Sequence, residues 1–195
     1  MDRIEISVEG IVKLLKAINV SKATGPDGIP GRILKFFAED IAPILTFIFQ
    51  QSLDTGTVPS DWRLANILPI FKKGDRSKAS NYRPVSITSI CSKLLEHVIF
   101  SNIMDHYDEN NILNDVQHGF RPGHSCETQL IITSQDVAHS LDQKEQVDAV
   151  ALDFSKAFDR VPHNRLLHKL HHYGIHDNLI RWIRVFLTER LQVLL

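Results

Sequence analysis

Apolar residues recur at every third or fourth position from Ser7, at Val8, Ile11, Val12 and Leu15, which predicts a helix; the cluster Gly25-Pro26-Asp27-Gly28 then breaks the pattern with a rigid turn. A second stripe, Ile41, Ile44, Leu45, Ile48, Phe49 and Leu53, starts behind Asp40 and closes at Gly56 and Pro59. Asp40 is the expected N-cap of that helix, and it is the clearest amphipathic helix in the chain. Leu64 to Phe71 and Val85 to Ile87 are short and rich in branched residues, and a polar stretch with Gly74, Asp75, Ser80 and Asn81 separates them. They read as two paired strands joined by a long basic loop. Pro69 argues against a central strand there, because proline has no N–H to donate.

Ile90, Leu94, Leu95, Val98 and Met104 predict another helix, and Leu130, Ile131, Val137, Ala138 and Leu141 a further one capped by Ser125. Val147 to Leu152 is a nearly continuous apolar run ending at Asp153, the pattern of a strand buried on both faces. Pro162 suits the first turn of a helix carrying Leu166, Leu167, Leu170 and Tyr173, and after Gly174 a last helix carries Leu179, Ile183 and Phe186. Leu191 to Leu195 look like the beginning of a strand. With no repeat, low-complexity tract or linker, the chain reads as one α+β domain that stops before it is finished.

Composition narrows the function only locally. The chain has 195 residues, of which 43% are hydrophobic, enough to bury one core. Its formal net charge is -1, so any nucleic-acid footprint must be a local one. Cys91 and Cys126 are its only cysteines, too few for a disulfide framework or a cysteine zinc site; reduced thiols in an intracellular protein fit them, with nucleus and cytoplasm not distinguished. The first residues, MDRIEISVEG, carry no apolar signal region, and no apolar run approaches the ~20 residues a membrane span needs, so a soluble chain without a membrane partner is expected.

Three segments could carry chemistry. Asp153 ends the expected buried strand, where ligand crevices in sheet proteins open, and a carboxylate there can hold Mg²⁺ or cap the following turn. Asp159 is a second carboxylate, and its spacing does not force both onto one metal; ordering the turn before Pro162 is its alternative. Between Trp62 and Arg83 the bases Arg63, Lys72, Lys73, Arg76, Lys78 and Arg83 face one acid, Asp75, so phosphate is a natural partner and a solvated hairpin tip the alternative. Gln117 to Ser125, QHGFRPGHS, combines glycines that allow close backbone approach with Phe120 and Arg121 for stacking and charge. His168 and His172 have metal-ligand spacing, but no His-Glu-x-x-His, cysteine or third ligand accompanies them, and a solvated polar face is the reading adopted.

In this order, KATGPDGIP from Lys22, ILPIFKKGD, NYRPVSI, QHGFRPG and ALDFSKAFD resemble the reverse transcriptase domain of non-LTR (LINE-type) retrotransposons over essentially the whole chain. The resemblance implies right-hand polymerase fingers with an incomplete palm: residues 1–145 mainly an N-terminal extension and fingers, and 146–195 the start of the palm. It implies RNA-directed DNA polymerase activity in a parent polyprotein with further domains, acting on an RNA template, a DNA primer and deoxynucleoside triphosphates. It assigns the catalytic, metal-binding carboxylate to Asp153, with the Phe154 carbonyl as a further ligand of Mg²⁺ and two ions in the complete enzyme. It assigns triphosphate contacts to Lys72 and Arg83, exclusion of a 2′-hydroxyl to Phe158, and the template side to Gly25, Pro26, Asp27, Gly28, Gln117, Gly119, Phe120 and Arg121. The family's adjacent Asp pair, on a later palm hairpin, does not occur in this sequence, so the chain alone is expected to be inactive. Two other readings stand beside this one: a binding remnant that holds RNA without chemistry, and an unrelated Mg²⁺ phosphohydrolase built on Asp153.

Overall fold

The computed structural model describes residues 1–194, which contain eight α-helices and three strands. They fall into two compact units, Met1–Met104 together with the segment from Pro162 onward, and Asp105–Val161.

The first unit is built on helices. Helix α1 (Val8–Lys16) starts as the pattern predicts, with Ser7 Oγ accepting from the Gly10 amide at 3.1 Å. Helix α3 (Ala38–Thr55) begins earlier than expected, so Asp40 is not the cap. The chain turns at Phe37 out of a short helix, α2 (Gly31–Phe36), leaving Glu39 and Asp40 in the first turn of α3, where negative charge still suits the helix dipole. Gly56 closes α3 in the left-handed region at φ 63°. Helix α3 packs against both α1 and the last helix, α8 (Asp177–Thr188), and α8 packs on α7 (His163–His172). Ile11, Leu15, Ala42, Leu45, Phe49, Leu53, Leu167, Leu170, Leu179 and Trp182 are buried between them. Burying a side chain the size of Phe49 contributes roughly 1.5–3 kcal/mol. Within this core the Trp182 indole donates to Ser52 Oγ at 2.9 Å, and Ser52 Oγ donates to the Thr57 carbonyl at 2.5 Å, so no polar atom of the trio is stranded.

A one-turn helix, α4 (Ser60–Arg63), leads into β1 (Leu64–Phe71), which pairs antiparallel with β2 (Tyr82–Thr88) from Ala65↔Thr88 to Phe71↔Tyr82. Strand β3 (Leu191–Leu194) pairs parallel with β1 from Leu64↔Leu191 to Ile67↔Leu194, giving the order β2-β1-β3. The strand expected over Leu191 to Leu195 is therefore present through Leu194; Leu195 lies outside the described residues. Strand β1 is central despite Pro69. The Lys72 amide donates to the Asn81 carbonyl at 2.9 Å, so by alternation along the ladder Pro69↔Pro84 is a non-hydrogen-bonded pair, and β3 stops pairing at Ile67, short of the proline. No ladder bond is lost.

Helix α5 (Ile90–Glu109) forms where the apolar spacing from Ile90 to Met104 predicts a helix, and its last residues, from Asp105, belong to the second unit. In the second unit α6 (Cys126–Asp142) begins at Ser125 with a full capping box: the Thr128 amide donates to Ser125 Oγ at 3.2 Å and the Ser125 amide to Thr128 Oγ1 at 2.9 Å. The buried strand expected over Val147–Leu152 does not form. This segment is neither helix nor strand, with Val150 82% and Leu152 85% exposed. A strand buried on both faces needs hydrogen-bonded neighbours on both edges, and among the described residues the strands pair only as β2-β1-β3, with none beside this segment.

Candidate nucleic-acid interface

The β1–β2 hairpin sorts its side chains by strand parity. Ala65 and Ile67 point to the core and are buried, while Leu68 and Ile70, on the other face, are exposed. Ile70 pairs with Arg83, and Lys72 continues β1 by two positions, so Lys72 and Arg83 are diagonal neighbours on that same exposed face. The loop between the strands is ordered by its own polar groups. Asp75 Oδ1 accepts from the Ser77 amide at 2.9 Å and the Ser77 hydroxyl at 2.8 Å, which holds the carboxyl below its usual range. Asn81 Nδ2 donates to the Asp75 carbonyl at 2.8 Å, and the Tyr82 hydroxyl to the Arg76 carbonyl at 2.9 Å. Of the six bases, Arg63 is bound by Glu189, and Arg76 lies over the Phe71 ring, 5.0 Å from its centroid. Among the described residues Lys72, Lys73, Lys78 and Arg83 have no ion-pair partner, although the one acid of the loop is nearby. The Phe71–Tyr82 edge-to-face pair, centroids 5.5 Å apart, is a feature that composition did not announce; the cross-strand register could have found it.

The Gly25–Gly28 turn is packed onto the root of the same hairpin. The Gly28 amide donates to the Gly25 carbonyl at 3.1 Å, with Pro26 and Asp27 between them and Gly28 at φ 69°. A Cβ on Gly25 would lie 2.7 Å from the Ser89 backbone and from the Thr88 carbonyl, so only glycine fits this approach. Asp27 Oδ1 accepts from the Ile29 amide at 3.2 Å. Burial, with the charge of Asp27 second, pushes the neighbouring Cys91 thiol up to about 11, which makes it an inert core cysteine.

In the second unit, the Gln117–Ser125 loop and the Asp153 segment meet through aromatic rings. Phe120, at φ 62° and 81% exposed, stands edge-on to Phe158 with centroids 6.0 Å apart. Arg121 turns inward. Its guanidinium donates to the Asn114 carbonyl at 3.1 Å and lies 3.7 Å from Asp108, so here it ties the loop to the end of α5. Neither partner was foreseeable, because both depend on how α5 ends. His118 Nδ1 lies 2.8 Å from Thr128 Oγ1, and Gln117 Nε2 donates to the Gly119 carbonyl at 3.2 Å. Asp153 and Phe154 lie on a segment outside any helix or strand, both exposed, rather than at a strand end. Lys72, Arg83 and the Gly25–Gly28 turn belong to the first unit, and Phe120, Arg121, Asp153, Phe154 and Phe158 to the second.

Asp153 and the Phe154 carbonyl are oxygen donors of the hardness Mg²⁺ takes. Among the described residues, however, no group of three or more His, Cys, Asp or Glu side chains could hold a metal, so these residues do not by themselves make up a site for the ion. That also applies to the histidines of α7. No helix among the described residues is long and apolar enough to cross a membrane.

A sequence profile described as reverse transcriptase (RNA-dependent DNA polymerase) matches residues 70–194. The chain is 36% identical over 166 residues to a probable RNA-directed DNA polymerase from transposon BS of Drosophila melanogaster, covering 85% of this chain and 18% of that protein. It is 28% identical over 186 residues to the RNA-directed DNA polymerase from mobile element jockey of the same species, covering 95% and 20%. With a probable RNA-directed DNA polymerase from its transposon X-element the identity is 33% over 145 residues, covering 73% and 16%. The chain thus spans about a fifth of the length of these curated relatives.

Proposed function

The chain belongs to the reverse transcriptase (RNA-dependent DNA polymerase) family, and from that membership we propose that it forms the fingers and the first palm segment of an RNA-directed DNA polymerase of a non-LTR retrotransposon. The observation that carries the reading is the pair Lys72 and Arg83, side by side and without ion-pair partners on the exposed face of a well-ordered hairpin. Two adjacent cations of this kind suit the triphosphate of an incoming deoxynucleotide, whose oxygens a guanidinium can grip in two places. Gly25, Pro26, Asp27 and Gly28, fixed on the root of the hairpin, and Gln117, Gly119 and Phe120, offered by the second unit, face the RNA template in this reading. Arg121 supports that role from beneath by fixing the loop that presents Phe120.

Attack of a primer 3′-hydroxyl on an α-phosphate needs positioning and charge stabilisation, not an amino-acid nucleophile. Asp153 is the catalytic carboxylate in the proposal, and Phe158 the bulk that rejects a 2′-hydroxyl. With Phe154 supplying a carbonyl, this segment contributes some of the oxygens toward Mg²⁺, while the remaining ligands must come from outside the described residues. A polypeptide of these 195 residues is accordingly proposed not to polymerise.

The test is RNA-templated primer extension by this chain, by a polypeptide continued through the segments that follow in the relatives, and by that longer polypeptide with Asp153→Asn. Extension is expected from the longer polypeptide only. Phe158→Ala in the same background should raise ribonucleotide use relative to deoxyribonucleotide use. Synthesis undiminished by Asp153→Asn would overturn the assignment of the carboxylate, and a longer polypeptide that binds template without any synthesis would favour the binding remnant.

A further inference from the structure

We propose that the outward face of α7 is an RNA-backbone contact, formed by residues other than those of the hairpin. Helix α7 turns Leu167 and Leu170 into the core. At 100° per residue Arg165, His168, Lys169 and His172 fall together on the opposite side, and all four are exposed. From Arg160 through His176 the sequence contains no acid. A face that serves only solubility mixes both signs of charge, and a chain of net charge -1 has no need of a single-sign helix face.

The surroundings add shape and an aromatic surface. Arg165, His168, Lys169, His171, His172 and Tyr173 line an open concavity of about 450 Å³. The Lys169 ammonium lies over the Tyr173 ring, 5.5 Å from its centroid, and the His172 ring is 5.8 Å from the same ring. Cations beside an aromatic surface are how single-stranded nucleic acid is held, phosphate on the cations and base on the ring. From the packed helix α8, Arg184 joins His168 and His171 along the neighbouring groove. The one carboxylate there is Asp177, 3.9 Å from His171 Nε2 and on the side away from Arg165 and Lys169. A lipid surface shares the phosphate chemistry, but a helix that lies on membranes presents an apolar face to insert. The apolar face of α7 is already in the core. This inference rests on local charge and shape, and it stands whether or not the chain belongs to an active polymerase.

The experiment uses the whole chain and a fluorescein-labelled, mixed-sequence single-stranded RNA, with anisotropy followed across a KCl series. Arg165→Gln with Lys169→Gln should weaken binding and lower the log–log salt slope by about one to two units, near 0.7 per single-strand phosphate contact released. Lys72→Gln with Arg83→Gln should lower it independently. An unchanged slope in the α7 variant, or no RNA binding by the parent chain, would overturn the proposal. Should the α7 variant lose helicity, protection of Lys169 from an amine-reactive reagent decides the matter in the parent chain. RNA should protect Lys169, and equal labelling with and without RNA would overturn the proposal, as would protection by phosphatidylserine vesicles but not by RNA.

Discussion

The unit formed by Met1–Met104 and the segment from Pro162 onward contains every buried apolar side chain described, whereas none of residues 105–161 is buried. The second unit is not poor in apolar residues: Leu130 and Ile131 of α6 are 65% and 64% exposed, and Val150, Leu152, Phe154 and Phe158 more so. What differs is the source of order. In the first unit helices hold one another through a shared core, and the hairpin is fixed by its register. In the second, order is local, supplied by the Ser125 capping box, the Arg121 tether and short turns. Apolar patterning says which positions want burial; whether they obtain it depends on neighbours the pattern does not mention.

The largest effect that could break this comparison is in the core. Phe49→Ala should destabilise the first unit by about 3–5 kcal/mol, because a fully buried ring leaves a cavity. Leu130→Ala, on the exposed face of α6, should stay within roughly 0.5 kcal/mol. Urea titration of both variants measures the gap, and equal losses would mean that α6 shares a core after all. Motif glycines should differ in the same sense. Gly25→Ala meets the Ser89 and Thr88 backbone at 2.7 Å, and overpacking of this kind costs typically 1–3 kcal/mol. In Gly119→Ala the nearest atom is the flexible Gln117 Nε2 at 3.7 Å, so little should change in the same titration.

Much of this was legible beforehand. Ser7 and Ser125 announced their helices, because a cap is a local signal, and Leu64 to Phe71 is a strand with the bounds expected. Helix α2 was not legible: Gly31–Phe36 is too short for periodicity and follows Pro30 directly, and α3 starts at Ala38, ahead of the expected cap Asp40. The parallel pairing of β3 with β1 joins residues more than a hundred positions apart, which no local pattern specifies. The family was readable from the order of its motifs. The inward turn of Arg121 and the Phe120–Phe158 contact were not, since both depend on tertiary placement.

Smaller effects sharpen the picture. Ser125→Ala should remove the bond from the Thr128 amide to Ser125 Oγ, while the Ser125 amide keeps its bond to Thr128 Oγ1, and cost α6 about 1 kcal/mol, seen as helicity lost by circular dichroism. In the first unit, burial raises the Glu96 carboxyl above its ordinary value, against the bond it accepts from Ser92 Oγ at 2.9 Å. A carboxyl raised in the folded state favours folding while it stays protonated, and that contribution is lost as pH rises from the ordinary Glu range through the folded value. Glu96→Gln should therefore raise the unfolding midpoint slightly at neutral pH, and the gain should vanish below the ordinary Glu range. A gain that persists in acid would place its origin elsewhere.

The most direct measurement of the functional account separates binding from chemistry in the longer polypeptide, by steady-state primer extension on an RNA template. Lys72→Gln with Arg83→Gln should chiefly raise KM for the deoxynucleotide, since these cations are assigned to the triphosphate. Asp153→Asn should chiefly lower kcat, by more than about a hundredfold if several kcal/mol of charge stabilisation depend on it. A hairpin variant with unaltered KM, or an Asp153→Asn enzyme with unaltered kcat, would contradict the account.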